Sequence, residues 1–420
     1  MDRVLLPCRL SGEIHAIPSK SWAHRALICA ALCREETELH LSATSQDIQA
    51  TQACLESLGA KCTATAHGLR ITPIKAIPEA PVLDCRESGS TLRFLIPVAA
   101  ALAKQSRFWG CGRLPERPIL PLLETLSAHG LLYSSAALPL TIGHWKEGGI
   151  FYLPGNLSSQ FASGILLAAP ILADDVEIHF TSPLQSASYL ELTCNAMRSF
   201  GILVEKTEQG YRVTAGQKYR SPGKFKIEGD WSNAAFWLAA GALSEKGIRL
   251  NGLRSDSAQG DRKILSLLLQ MGANAHWKGD LLCINGPRPL RSINIDAADI
   301  PDLVPILSLL ATFAEGETNI QHVSRLRLKE SDRLESTAQL IKSLGGEIEL
   351  QEDQIRIAGA KQLHGGRVQS YKDHRIAMTA AIAASHCTGE ILLENSEAVE
   401  KSYPHFWQDY IALGGKPHVI

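Results

Sequence analysis

Leu55-Glu56-Ser57-Leu58-Gly59 is the first copy of a leucine-rich helix ending in glycine that recurs along this chain of 420 residues. Further copies occupy residues 123–130, 197–201, 267–272, 340–345 and 410–414. The spacing of roughly seventy residues indicates several copies of one supersecondary unit that share their cores. We expect each terminal glycine to be a left-handed helix C-cap in front of a strand.

A second series of helices, built of small apolar residues, keeps step with the first. It is predicted at residues 26–32, 94–103, 164–173, 234–243, 303–314 and 376–384. These segments are apolar nearly all round, so we expect interior helices, with the charged leucine-glycine helices further out. Each unit is therefore predicted as strand, helix, strand, helix, strand, strand. Three such units in each of two similar halves make an α/β fold.

Composition excludes several classes of protein. Lys plus Arg number 42 against 43 Asp plus Glu, and the net charge of −1 argues against a nucleic-acid or membrane-surface protein. We find no apolar run of about eighteen residues, so no transmembrane helix is predicted. The first residues also lack the apolar run of a signal peptide. The 10 cysteines form no Cys-x-x-Cys pair, which favours a reducing cytoplasm over a disulfide or zinc framework.

The loops that open the interior helices differ between copies. Ser88, Asp230 and Asp299 are best interpreted as helix N-caps. Capping does not explain the basic residues of these loops, because a cation near a helix N-terminus is unfavourable without an anion. These basic residues are Lys20, Arg25, Arg93 and Arg375.

Two further basic clusters accompany these loops. One contains Arg113 and Arg117, and the other runs from Arg325 to Arg333. Lys329 and Arg333 are four residues apart and should share a helix face. The alternative for this segment is a solvated charged helix. Many arginines on similar loops instead favour a cleft for strongly anionic ligands, because guanidinium groups bind phosphate and carboxylate bidentately.

At these residues the chain closely resembles the 5-enolpyruvylshikimate-3-phosphate synthase family, over essentially its whole length. The motifs that carry the resemblance are Ser19-Lys20-Ser21 with Arg25, Gly89, Glu116-Arg117-Pro118, Ser158-Ser159-Gln160, Ser186 with Tyr189, Ile300-Pro301-Asp302, Lys329-Glu330-Ser331-Asp332-Arg333, Asp373-His374-Arg375 and Glu400-Lys401-Ser402-Tyr403-Pro404. The resemblance implies a two-domain inverse α/β barrel with three repeated βαβαββ units per domain. It assigns residues 1–18 and 228–420 to one domain and 19–227 to the other, with the active site in the cleft between them.

The implied reaction transfers the enolpyruvyl group of phosphoenolpyruvate to the 5-hydroxyl of shikimate 3-phosphate and releases phosphate. Carried over by position, the shikimate 3-phosphate set is Lys20, Ser21, Arg25, Ser158, Ser159, Gln160, Ser186, Tyr189, Asp302 and Lys329. The phosphoenolpyruvate set is Lys20, Gly89, Arg117, Gln160, Arg333, Arg375 and Lys401. Glycine suits the second set because a residue without a side chain lets ligand and backbone meet closely.

This addition–elimination needs two groups poised for opposite proton transfers. Our hypothesis is that Asp302 deprotonates the 5-hydroxyl and that Glu330, assisted by Lys20, serves the methylene carbon. Lys401 and the arginines would stabilise the carboxylate and the departing phosphate. No metal or organic cofactor is called for. The expected partners are these two small-molecule substrates, with neither nucleic acid nor membrane, and we expect a cytoplasmic monomer.

Three positions depart from the family pattern: Pro18, Glu87 and Arg325. One alternative is the sister family that transfers enolpyruvate to UDP-N-acetylglucosamine, which carries a reactive cysteine before the arginine-proline pair. Cys111 lies near that position, although a merely incidental cysteine is the simpler interpretation. A non-catalytic anion-binding homologue is a second alternative. An RNA-end-processing enzyme with related repeats is disfavoured by the neutral charge.

Overall fold

The computed structural model describes residues 1–286, 289–359 and 362–420. The chain forms two compact units. The first consists of Met1–Ser19 with Glu228–Ile420, and the second is Lys20–Ile227. Among the described residues, no helix combines the length and the apolar character needed to cross a bilayer.

In the part of the chain that the structure describes, twelve α-helices alternate between interior and outer positions. They are α1 Lys20–Ala31, α2 Gln46–Ser57, α3 Gly89–Leu102, α4 Leu120–Ser127, α5 Ser159–Ala168, α6 Ala187–Ser199, α7 Trp231–Ala242, α8 Lys263–Gln270, α9 Val304–Thr312, α10 Arg333–Ser343, α11 His374–Ala384 and α12 Phe406–Ala412. The odd-numbered helices are buried along almost their whole length, which confirms the predicted interior series. Helix α10, with Glu335 and Lys342 exposed, shows the charged outer face expected of the other series, whereas the exposed face of α8 is mostly uncharged.

The strands are short and numerous. They are β1 Arg3–Leu6, β2 Gly12–His15, β3 Thr37–His40, β4 Lys61–Thr65, β5 Gly68–Thr72, β6 Val82–Asp84, β7 Gln105–Trp109, β8 Leu140–Gly143, β9 Gly149–Leu153, β10 Val176–Phe180, β11 Glu205–Lys206, β12 Gly210–Val213, β13 Lys224–Lys226, β14 Ile248–Asn251, β15 Asn274–Lys278, β16 Leu281–Asn285, β17 Leu290–Arg291, β18 Asn294–Asp296, β19 Ala314–Glu315, β20 Glu317–Gln321, β21 Glu347–Leu350, β22 Gln354–Ala358, β23 Gly366–Gln369, β24 Ile391–Glu394 and β25 Lys416–Val419.

In the described residues, each unit carries three sheets of three or four strands with one repeated pattern, and the first unit also has the two-stranded parallel sheet β17-β19. The first unit has β23-β24-β1-β25, β15-β16-β14-β2 and β18-β20-β22-β21, and the second has β11-β12-β10-β9, β13-β3-β5-β4 and β6-β7-β8. Every one of these larger sheets contains one parallel pair followed by antiparallel pairing. Sheets therefore surround interior helices in each unit, the inverse α/β barrel with three repeats.

Two strands pair with a sheet of one unit although the helix that follows them in the chain belongs to the other unit. Strand β2 precedes α1 in the chain but pairs in parallel with β14 of the first unit. Strand β13 precedes α7 but pairs in parallel with β3 of the second unit. The first nineteen residues therefore belong with the C-terminal half.

Close approach between interior helices depends on small residues. Helices α3 and α5 pack against each other, and a Cβ at Gly164 of α5 would lie 2.4 Å from the Arg93 carbonyl oxygen.

In the first unit α7, α9 and α11 pack together, and Trp237 stacks on Phe406 with ring centroids 5.0 Å apart. Burial of such large apolar side chains is worth about 1.5 to 3 kcal/mol each.

The glycines that end the outer helices are all left-handed. Their φ angles are 105° at Gly59, 91° at Gly130, 80° at Gly201, 96° at Gly272, 87° at Gly345 and 103° at Gly414. Non-glycine residues avoid this region because Cβ meets the backbone there. The predicted C-caps are confirmed, and the repeat in the sequence is a repeat of helix-ending geometry.

The predicted starts of five of the six interior helices are two to six residues too late, whereas α9 begins at Val304, one residue after its predicted start. Helix α1 begins at Lys20 and α3 at Gly89, five or more residues before the apolar segments predicted from the sequence. The basic residues Lys20, Arg25, Arg93 and Arg375 therefore lie within the first two helical turns and not in the preceding loops. Hydrophobic pattern misses these turns because their polar side chains face other polar groups.

Candidate active site

In the first unit, three cations converge on the Asp302 carboxylate. Lys329 Nζ lies 3.3 Å and an Arg333 terminal nitrogen 2.8 Å from Asp302 Oδ1. A terminal nitrogen of Arg375 donates to Oδ2 at 3.1 Å. Charge-assisted hydrogen bonds of this kind are about twice as strong as neutral ones. The predicted acid and three of the predicted basic residues are therefore brought together.

Three separate elements place these side chains. Asp302 lies in a 3-10 turn, Pro301–Leu303, directly before α9. Lys329 ends another 3-10 turn, and Arg333 begins α10, whose N-cap is Asp332. The prediction that Lys329 and Arg333 share a helix face is therefore wrong, because the cap starts the helix only at Arg333. Their side chains nevertheless meet on one carboxylate oxygen.

The cluster decides the charge state of its acid. Burial raises the pKa of Asp302, but Arg375, Lys329 and Arg333 outweigh it and hold the pKa well below its usual range. Burial also lowers the pKa of Lys329. Asp302 is therefore an anion at neutral pH. Its basicity rises only when Arg375, Lys329 or Arg333 binds another anion in place of Asp302.

Asp373 orients Arg333 and was given no role by the sequence. Arg333 Nε donates to Asp373 Oδ2 at 2.9 Å, and Arg333 also donates to Glu330 Oε2. Asp373 is fully buried and is the N-cap of α11, accepting from the Arg375 backbone N–H at 2.9 Å. An acid at a helix N-cap two residues before an arginine is the signal that could have identified it.

Two more groups extend the cluster. The Ser232 hydroxyl accepts from Arg375 at 2.8 Å and donates to the buried Asp261 carboxylate. Neither residue was singled out from the sequence. Lys401 is buried at the end of the 3-10 helix Ser396–Lys401.

The second unit carries its own polar cluster. Lys20 is the first residue of α1, and its Nζ pairs with Asp47 of α2 at 2.9 Å. Asp47 was not predicted. Gly89 begins α3, and a Cβ there would lie 2.8 Å from a terminal nitrogen of the buried Arg117. The sequence predicted that Gly89 leaves room for a ligand beside the backbone. In this structure the Arg117 guanidinium occupies the space next to Gly89.

Gln160 is held by two polar partners. Its Oε1 accepts from Arg93 at 2.7 Å, and its Nε2 donates to Ser90 Oγ at 2.9 Å. Ser158 is the N-cap of α5, accepting from the Gln160 backbone N–H, and Ser159 opens that helix. The amide is therefore fixed in orientation between the starts of α3 and α5.

Each of the three guanidinium nitrogens of Arg25 donates a hydrogen bond within the protein. Its Nε donates to Thr193 Oγ1 at 2.7 Å, and its terminal nitrogens donate to the carbonyl oxygens of Ser21 and Tyr189. Burial lowers its pKa to about 10, so the guanidinium stays charged. Ser186, at the N-cap of α6, has φ 57°, a left-handed strain of the kind that clusters at functional sites.

The departures from the family pattern have local partners. Glu87 places its carboxylate against Gly112, where a Cβ would lie 2.4 Å from Oε1. Arg325 donates to the Ala298 carbonyl oxygen at 2.6 Å. Pro18 forms an isolated antiparallel bridge with Gly229. Cys111 is exposed.

The predicted N-caps are confirmed at two of three positions. Ser88 caps α3, and Asp230 caps α7 by accepting from the Asn233 backbone N–H at 2.7 Å. The prediction is wrong at Asp299, because the cap position belongs to Ile300, which opens a 3-10 turn before α9.

Comparison with known proteins identifies the family. The model of EPSP synthase (3-phosphoshikimate 1-carboxyvinyltransferase) matches residues 6–410. A 3-phosphoshikimate 1-carboxyvinyltransferase of Clostridium kluyveri is 40% identical over 413 residues, covering 98% of this chain and 96% of that protein. Its counterpart in Clostridium acetobutylicum is 41% identical over 420 residues, covering 98% and 97%.

Solved structures show the same fold. EPSP synthase from Acinetobacter baumannii superposes with a TM-score of 0.81 at 24% identity, covering 100% of both chains. The enolpyruvyl transferase NikO from Streptomyces tendae also gives 0.81, at 17% identity, covering 99% of this chain and 98% of its own. With its six repeats, its charged clusters and a family match along almost its whole length, the chain belongs to the EPSP synthase (3-phosphoshikimate 1-carboxyvinyltransferase) family.

Proposed function

We propose that this protein transfers the enolpyruvyl group of phosphoenolpyruvate to the 5-hydroxyl of shikimate 3-phosphate, forming 5-enolpyruvylshikimate 3-phosphate and phosphate. Family membership supports this reaction, which belongs to the shikimate pathway of aromatic amino-acid biosynthesis. The single observation that carries the site assignment is the Asp302 carboxylate held by Lys329, Arg333 and Arg375. A half-buried anion among three cations is suited to exchange partners with anionic substrates.

In the addition step, the 5-hydroxyl oxygen attacks C2 of phosphoenolpyruvate while a proton is added to C3. Asp302 takes the hydroxyl proton. Its depressed pKa makes it a weak base in the protein without substrates, because three cations hold its charge. When Arg333 and Arg375 turn to the anionic groups of phosphoenolpyruvate, that stabilisation weakens and the basicity of Asp302 rises.

In the elimination step, the tetrahedral adduct loses phosphate from C2 and a proton from the methyl carbon. Glu330 gives and later removes the proton at this carbon, assisted by Lys20. Glu330 accepts a hydrogen bond from Arg333, which orients its carboxyl group beside the arginine that we assign to phosphoenolpyruvate. Lys401, Arg333 and Arg375 stabilise the carboxylate and the departing phosphate, a contribution that is usually the largest in such reactions.

Binding is assigned to residues of both clusters. We assign shikimate 3-phosphate to Lys20, Ser21, Arg25, Ser158, Ser159, Gln160, Ser186, Tyr189, Asp302 and Lys329. We assign phosphoenolpyruvate to Lys20, Gly89, Arg117, Gln160, Arg333, Arg375 and Lys401. The Arg25 nitrogens already bond within the protein, so Arg25 acts in part by fixing Ser21 and Tyr189.

The protein acts on small-molecule substrates, and we propose that it does so as a cytoplasmic monomer. Scattered cysteines support a reducing compartment. Light scattering of the purified protein at several concentrations tests the monomer, and a concentration-dependent rise in mass would contradict it.

Phosphate release tests the reaction. The purified protein is given phosphoenolpyruvate with either shikimate 3-phosphate or UDP-N-acetylglucosamine as acceptor. We expect release with shikimate 3-phosphate alone, and an Asp302→Ala variant that loses turnover by orders of magnitude while its unfolding temperature stays close to that of the wild type. Release with the nucleotide sugar alone would contradict the proposal, and near-normal turnover in the variant would contradict the role of Asp302.

A further inference from the structure

A partly buried series of hydrogen bonds joins the Asp302 cluster to an acid that has no role in the proposed reaction. Arg375 donates to the Ser232 hydroxyl oxygen at 2.8 Å, and that hydroxyl donates to Asp261 Oδ2. The two acids joined by these hydrogen bonds are Asp261 and Asp302, and both lie near Arg375. The exposed fraction of Asp261 is only 3%.

The direction of these hydrogen bonds follows from the groups themselves. A guanidinium group has only donors, so the Ser232 oxygen must accept from Arg375. Its single hydrogen is then directed to Asp261 Oδ2, which accepts it. The Asp261 carboxylate thereby fixes the hydroxyl in the one orientation that receives the arginine.

The surroundings of Asp261 act on its pKa in opposite directions. Burial, and then the negative charge of Asp302, raise its pKa to about 6, while Arg375 opposes the rise. Asp230, the N-cap of α7, is a further negative charge nearby. Burying this acid is costly, and such a cost is usually retained where it orients a functional group.

Ser232 and Asp261 lie on rigid elements. Ser232 is the second residue of α7, and Asp261 lies in the 3-10 turn Gly260–Arg262 directly before α8. Arg375 also lies 3.5 Å from the Ser232 carbonyl oxygen, so both oxygens of one serine face the guanidinium. One residue of an interior helix therefore sets the position of the arginine.

We propose that Asp261 is a positioning residue for phosphoenolpyruvate, acting through the Ser232 hydroxyl to hold the Arg375 guanidinium in the orientation that receives an anionic group of that substrate. This inference rests on the proposed function, which assigns Arg375 to phosphoenolpyruvate. Asp261 does not touch the substrate. It favours binding because an Arg375 side chain that is already held in one orientation loses less conformational entropy when the substrate binds.

The test compares steady-state kinetics of the wild type with Ser232→Ala, Ser232→Thr and Asp261→Asn. Ser232→Ala removes the relay hydroxyl at a helix position that tolerates alanine. Ser232→Thr keeps a hydroxyl, and Asp261→Asn keeps the shape but removes the charge. The matched control is Ser257→Ala, a buried serine whose hydroxyl donates to the Glu228 carboxylate at 2.5 Å in the same unit.

We expect Ser232→Ala and Asp261→Asn to raise the KM for phosphoenolpyruvate about tenfold, as loss of a hydrogen bond to a charged group implies. The KM for shikimate 3-phosphate should stay within about twofold. Ser232→Thr should restore most of the loss, and Ser257→Ala should leave both KM values near the wild type. Unchanged unfolding temperatures would show that the effect is not a loss of structure.

Two results would overturn the inference. An unchanged KM for phosphoenolpyruvate in both Ser232→Ala and Asp261→Asn shows that the relay does not position Arg375. A parallel rise of both KM values with a lower unfolding temperature assigns the pair to structure alone. Failure of the proposed function is distinguishable, because the wild type itself would then release no phosphate from phosphoenolpyruvate with shikimate 3-phosphate.

Discussion

Gly89→Ala is expected to separate substrate binding from stability. Gly89 is the first residue of α3, and an added Cβ would lie 2.8, 2.9 and 3.1 Å from three guanidinium atoms of Arg117. Ordinary contact begins near 3.4 Å, so the guanidinium must move by about half an ångström. The clash is with a side-chain end and not with backbone, so the arginine can yield without disturbing the helix.

The magnitude follows from the charge on the displaced group. Weakening a hydrogen bond from a charged arginine to phosphoenolpyruvate costs about 1 to 2 kcal/mol. The KM for phosphoenolpyruvate should therefore rise roughly tenfold. The free energy of unfolding should stay equal or rise by up to ~1 kcal/mol, because alanine favours helix over glycine. Steady-state phosphate release and urea denaturation measure the two quantities separately.

A double-mutant cycle decides whether Arg117 carries the effect. In an Arg117→Ala background, Gly89→Ala should leave the KM for phosphoenolpyruvate unchanged, since the clashing group is gone. Additive effects of the two substitutions would refute the reasoning. Gly164→Ala is the contrasting control: its Cβ would lie 2.4 Å from the Arg93 carbonyl oxygen of the packed helix α3, so it should lower the unfolding temperature.

Three further outcomes are expected. Asp373→Ala should destabilise the protein by about 3 to 5 kcal/mol in urea denaturation, because it leaves the Arg333 charge buried without its main acceptor; a loss below 1 kcal/mol would contradict this. Burial lowers the pKa of His24 to about 3, so between pH 6.5 and 3 the unfolded chain binds more protons, and falling pH should cost up to about 1.4 kcal/mol per unit. His24→Gln should flatten that dependence, and an equally steep profile in the variant would exclude His24 as its source. Arg25→Lys should lower the unfolding temperature, since one ammonium group cannot replace three directed bonds, including the one to Thr193; an unchanged temperature would show that the fork is not needed.

Much of the fold was predictable because it depends on local geometry repeated six times. Each outer helix ends at a glycine with positive φ, and each interior helix is a run of small apolar residues. The starts of the interior helices were not predictable from apolar pattern alone. Lys20 and Gly89 already lie in the helices, where polar first turns are satisfied by partners far away in sequence, such as Asp47.

For the site, sequence identified the charged residues but not how they are held. Asp302 and Arg333 were predicted, and their contact at 2.8 Å joins a turn before α9 to the start of α10. Asp373 and Asp261 were missed as site residues. Its N-cap position could have singled out Asp373, but it does not mark that acid as the partner of Arg333, because only folding brings the two together.

By itself, the amino-acid sequence determined the six units, the left-handed glycine caps and the list of basic and acidic residues available for anionic substrates. These features depend on backbone sterics and on interactions within one helix or turn. Only the tertiary structure decided that three cations share the Asp302 carboxylate, that Asp373 accepts from Arg333, and that the Ser232 hydroxyl links Arg375 to Asp261. The physical reason is that a buried charge is stable only beside a partner, and packing of distant elements supplies that partner.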